Sequence, residues 1–83
     1  MEHIKGKLYH YQPEDEAKFN GKWPTVTWSD DDQSWVLKAE NDPRWIKIER
    51  NTPCIYIGRT NSVRMGAFLV GDTVVAILLA VVK

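Results

Sequence analysis

Residues 64–82 read RMGAFLVGDTVVAILLAVV, and this stretch decides the fold class. Two apolar runs, Arg64 to Val70 and Thr73 to Val82, flank Gly71-Asp72, a short turn signal between strands. The second run has four valines and an isoleucine in ten residues. Side chains branched at Cβ favour a strand over a helix. In a strand, Val74, Ala76, Leu78, Ala80 and Val82 face one way and Val75, Ile77, Leu79 and Val81 the other. A sheet with one wet face alternates polar with apolar residues, and this strand does not. Both of its faces must be covered. A small barrel offers one interior, so the expectation is that Val75, Ile77, Leu79 and Val81 pack against a second copy as a homo-oligomer interface. Cover by a helical segment and a long loop of the same chain is the alternative.

Working toward the N-terminus, Cys54-Ile55-Tyr56-Ile57 is a short apolar strand ended by Gly58, and Asn51-Thr52-Pro53 turns the chain before it. Trp45 to Arg50 alternates, with Ile46 and Ile48 on one side and Lys47 and Glu49 on the other. Thr25-Val26-Thr27-Trp28 and Trp35-Val36-Leu37-Lys38-Ala39 form a hairpin around the polar loop Ser29 to Ser34, with Trp28 and Trp35 as a cross-strand pair. Pro13 to Phe19 suits a short helix, with Pro at its first turn, acids at its positive end and Asn20-Gly21 closing it. The same Asn-Gly also suits a tight hairpin turn. Ile4 to Tyr11 suits a first strand. Turn signals recur every eight to twelve residues, as in small barrels and sandwiches. The chain is therefore expected to be mainly β, a small SH3-like or OB-like barrel or sandwich of six to seven short strands with at most one short helix.

Composition sets the outer limits. The chain has 83 residues, 43% apolar and 27% charged, which is the ordinary make-up of one ordered globular domain spanning residues 1–83. One cysteine, Cys54, excludes an internal disulfide framework and a cysteine zinc site. A formal net charge of zero excludes a globally basic nucleic-acid binder. No secretory signal and no run of about 20 apolar residues is present, so no membrane is expected and a cytoplasmic setting is the default. The charge is nonetheless split: Met1 to Pro43 carries nine acids and five lysines, a net of −4, and Arg44 to Lys83 six bases and two acids, a net of +4.

Catalytic patterns do not assemble. His3 and His10 lie seven apart, on opposite faces of a strand, and make a poor metal pair. Ser29, Ser34 and Ser62 have no nucleophile-elbow context, and no glycine-rich phosphate loop occurs. Cys54, between Pro53 and Ile55, reads as a buried small hydrophobe. Asp30-x-Asp32-x-Ser34 imitates the start of a calcium loop, but Trp35 stands where a glycine is needed and Asn41 where a bidentate Glu belongs. The chain is thus expected to be no enzyme and to need no metal or cofactor.

Contact residues are easier to nominate. Asp30, Asp31 and Asp32 form an anionic tip suited to a basic surface. Trp45 and the basic window Arg44, Lys47, Arg50, Arg59 and Arg64 combine the side chains that most often dominate interfaces. A non-catalytic module binding a protein partner is the leading expectation. A nucleic-acid-binding barrel using the window from Arg44 to Arg64 is the alternative, and a structural homo-oligomer the third. No family motif can be assigned residue by residue. In general style the chain resembles short accessory proteins of bacterial viruses, which implies binding and blocking a host enzyme or defence component.

Overall fold

The computed structural model describes residues 2–14, 21–37 and 45–83. Eight strands run in chain order: β1 (Leu8–His10), β2 (Gly21–Pro24), β3 (Val26–Ser29), β4 (Ser34–Leu37), β5 (Trp45–Ile48), β6 (Pro53–Arg59), β7 (Met65–Val70) and β8 (Thr73–Leu78). The only helical piece among the described residues is the 3₁₀ turn Leu79–Val81. The protein is mainly β, as its β-branched and aromatic runs require.

β1, β6, β7 and β8 form one antiparallel sheet in the order β1-β6-β7-β8. The Gly71-Asp72 turn joins β7 to β8, with Val70 opposite Thr73, and Gly71 takes the left-handed φ of 65° that such a turn needs. β2 pairs with β5 and β3 with β4, giving two separate two-stranded ribbons. Thr25, between β2 and β3, bridges to Val75 of β8 and ties both ribbons to the sheet.

Alternation along β8 shows where those ribbons sit. Val75 and Ile77 belong to a cluster with Tyr9, Tyr11, Ile48, Cys54, Phe68 and Val82, against which Trp23 and Ile46 of the β2–β5 ribbon pack. Val74 and Ala76 join the opposite cluster, with Val26, Ala67 and Trp35, so the β3–β4 hairpin supplies that side. Adjacent strand residues point to opposite faces. The four-stranded sheet is therefore a middle layer, covered by one ribbon on each face. Full burial of each large apolar side chain there stabilises by about 1.5–3 kcal/mol.

This arrangement corrects the sequence reading of the last strand. Val75 and Ile77 have no exposed surface, and Leu79 and Val81 are half-buried against the same cluster. Val75 and Ile77 are core residues of this chain, with Leu79 and Val81 packed against them, and the β2–β5 ribbon covers this face of β8 while the hairpin covers the Val74 and Ala76 face. The strand also ends at Leu78 and not at Val82.

The strands do not close into a barrel. After the 3₁₀ turn the chain returns to the outer edge of β1, where the amides of His10 and Lys83 each donate to the other's carbonyl at 2.9 Å. That return is separated from the β8 ladder by residues 79–81, so no continuous ladder encircles the core. His3 fastens it: its Nε2 lies 2.5 Å from the Val82 carbonyl, which can only accept, so Nε2 carries the proton. The first strand is shorter than Ile4 to Tyr11, because Gly6 at φ 83° turns the chain before Leu8. β2 was not expected as a strand. The helix expected over Pro13 to Phe19 lies outside the described residues except for Pro13 and Glu14, which are not helical.

Candidate functional site

The β3–β4 hairpin places Trp28 directly opposite Trp35, with ring centroids 5.5 Å apart and planes at 72°. Edge-to-face packing of this kind fixes both indoles. The turn at the tip is held by its own polar side chains. Trp28 Nε1 donates to Asp30 Oδ1 at 2.8 Å, the Asp32 amide donates to Ser29 Oγ at 3.2 Å, and Gln33 Nε2 donates to the Asp30 carbonyl at 2.7 Å. Gln33 adopts φ 53°, a left-handed conformation that closes the turn. Asp30, Asp31 and Asp32 are all exposed, and Trp28 beside them is 45% exposed.

β6 runs past this hairpin with a bulge. Tyr56 faces Phe68 and Gly58 faces Ala67, so Ile57 is the extra residue. Gly58 sits at φ 150°, and a Cβ there would lie 3.4 Å from Trp35 Nε1 and 3.6 Å from Lys5 Cε. The bulge and the missing side chain open a cleft of about 420 Å³ between hairpin and β6. Lys5, Trp28, Gln33, Trp35, Tyr56 and Arg59 line it. Arg59 also borders a second cleft of about 680 Å³, shared with Asp32, Ser34 and the loop after β6. Thr60 organises that loop: its Oγ1 accepts from the Ser62 amide at 3.0 Å and lies 3.0 Å from the Met65 carbonyl.

The described residues of the basic window lie on or beside three strands, β5, β6 and β7. Arg44 lies outside the described residues, and Trp45 opens β5 at the position opposite Pro24. Lys47 is exposed and pairs with Glu49 at 3.6 Å, a surface contact worth little. Arg50 serves the fold, its Nη2 donating to the Pro13 carbonyl at 2.5 Å. Arg59 and Arg64 flank the loop between β6 and β7, and both are exposed. Of the nominated residues, the structure brings together Asp32 and Arg59 along one cleft. Lys5, Gln33 and Tyr56 were missed. Only the glycine interrupting the run from Cys54 to Arg59 signalled a cleft, and it reads equally well as a strand end.

Cys54 offers no reactive thiol. It is fully buried, and burial pushes its pKa from the ordinary 9.0 up to about 11. Burial also raises Tyr11 and Tyr56. A raised acid holds its proton more tightly in the folded state, so its contribution is complete below the unfolded value and lost as pH rises through the folded one. Urea midpoints should therefore fall as pH climbs from about 9 to 11, and Cys54→Ala should flatten part of that fall. A wild-type midpoint constant across this range would contradict the burial argument. Among the described residues no group of three or more His, Cys, Asp or Glu side chains could hold a metal ion, and no helix is long and apolar enough to cross a membrane. Comparison with protein-family models, curated proteins and solved structures finds no match to this chain.

Proposed function

We propose that the chain is a non-catalytic cytoplasmic module that binds a protein partner through the tip of the β3–β4 hairpin and occupies that partner's surface as an inhibitor does. The observation that carries this reading is the pairing of exposed Trp28 with Asp30, Asp31 and Asp32 on one internally hydrogen-bonded turn. Three adjacent carboxylates repel one another, and a basic surface on a partner relieves that repulsion. Rim charges of this kind mainly accelerate association, while a tryptophan at their centre supplies affinity. A pre-formed turn also loses less conformational entropy on binding.

The test converts Asp30, Asp31 and Asp32 together to Asn, which preserves the turn's acceptor oxygens. Retention of a protein from nuclease-treated lysate by the immobilised chain should drop at least about tenfold, with association slowed more than dissociation. Retention that survives the triple substitution, or that disappears with nuclease alone, contradicts the reading. The second outcome would favour nucleic acid, whose binding weakens steeply with salt.

A further inference from the structure

We propose that the cleft between the hairpin tip and the turn joining β6 to β7 receives a polypeptide segment of the protein partner, one whose apolar side chain is flanked by a basic and an acidic residue. The proposal rests on the protein-binding reading of the tip and extends that same surface into the groove beside it. Asp32 enters this cleft of about 680 Å³ from the hairpin, and Arg59 enters it from the end of β6. Among the described residues neither side chain is held in an ion pair, with the other or with any third group. Opposite charges that share one groove without pairing are complementary to a ligand that carries both signs. A nucleic-acid strand carries one sign only and would meet Asp32 as a repulsion. Half-buried Met65 and Leu79 supply apolar lining, and Val63, 95% exposed on the turn, adds aliphatic surface.

The groove is formed before anything binds. The Asn61 amide donates to the Trp35 carbonyl at 3.1 Å, and Thr60 bridges to Trp35, so turn and hairpin are tied through their backbones. Buried Thr60 also holds the turn from inside: its Oγ1 accepts from the Ser62 amide at 3.0 Å and lies 3.0 Å from both the Ser62 and Met65 carbonyls. Walls fixed in this way lose little conformational entropy when a segment settles between them. The volume lies in the range that takes a few side chains. The occupant is therefore a short stretch of the partner, placed beside the surface that the tip engages.

Magnetic resonance titration of the folded chain, read at the amides of Asp32, Val63 and Met65, tests the proposal. The probes are acetylated, amidated tripeptides: Arg-Leu-Glu, Glu-Leu-Arg, Arg-Leu-Arg, Glu-Leu-Glu, and the two mixed-charge sequences with Gly in place of Leu. The better mixed-charge peptide should saturate these shifts at millimolar concentration and bind at least about threefold tighter than either same-sign peptide. Its Gly counterpart should bind about tenfold more weakly. Asp32→Asn should remove the advantage over Glu-Leu-Glu, and Arg59→Gln the advantage over Arg-Leu-Arg, with native circular dichroism in both variants. The proposal is overturned if no mixed-charge peptide gives saturable shifts at about 10 mM, or if a same-sign or Gly peptide binds equally well. Shifts of the same amides on concentrating the chain alone would put a second copy in the groove and also overturn it. Retention from lysate separates this proposal from the reading it rests on. Arg59→Gln should reduce retention at least about threefold. Full retention by Arg59→Gln, with loss in the variant carrying Asn at 30, 31 and 32, keeps the tip and overturns the groove. Retention that survives the triple substitution contradicts the tip reading, while the peptide shifts still report on the groove.

Discussion

Ile77→Lys should lower the thermal midpoint of the chain by about 20 °C or more. Ile77 has no exposed surface and lies in the cluster that joins β8 to Phe68, Ile48 and Tyr9. A lysine there must bury an unpaired ammonium or break the layer to reach water, and a cost of about 4–5 kcal/mol or more follows from either. A domain of this length has about 4–12 kcal/mol of stability in all. The next residue provides the control: Leu78 is 38% exposed, and Leu78→Lys should change the thermal midpoint by only a few degrees. Had Ile77 faced a second copy, the same lysine would yield a folded species of smaller size. Circular dichroism and light scattering on the two variants separate these outcomes.

The second large effect is steric. Gly66 lies in β7 with ordinary backbone angles, so its need for glycine comes from its neighbours. A Cβ at this position would stand 2.7 Å from Leu79 Cδ2, 2.8 Å from Tyr56 Cε1 and 3.1 Å from Phe68 Cε2. Leu79 can rotate away, but the Tyr56 ring packs against Phe68, with centroids 5.4 Å apart and planes at 59°. Gly66→Val should therefore cost about 3 kcal/mol, the upper end of overpacking effects. Adding Leu79→Ala should restore part of that loss, since the two side chains compete for one space. A Gly66→Val variant with a wild-type urea midpoint would show that this contact is looser than described.

What could be read from the sequence was what local chemistry determines. Gly71-Asp72 marked a hairpin because only a few residue types accept its backbone angles. Ile46 and Ile48 declared their buried face by alternation, and Trp28 found Trp35 because the loop between them fixes the register. β2 was hidden for a physical reason: Gly21-Lys22-Trp23-Pro24 combines two poor strand formers, and its partner β5 lies more than twenty residues away. The same non-locality concealed what covers β8. Two apolar faces on one strand announced that two layers were needed, but not that Val26 and Trp35 of the hairpin would provide the second. The candidate cleft was less legible still. Lys5, Trp28 and Arg59 come from three separate segments, and the bulge at Ile57 in the last of them has no signature beyond one glycine.

All of this rests on one claim, that both faces of β8 are covered inside a single chain. Amide hydrogen exchange at Val75, Ala76 and Ile77, followed over a hundredfold dilution, tests it most directly, because cover supplied by another copy is lost as concentration falls while cover within the chain is not. The structure predicts slow exchange at all three amides with no dependence on concentration. Protection that collapses on dilution would mean that a second chain forms the missing layer and would contradict the arrangement described here.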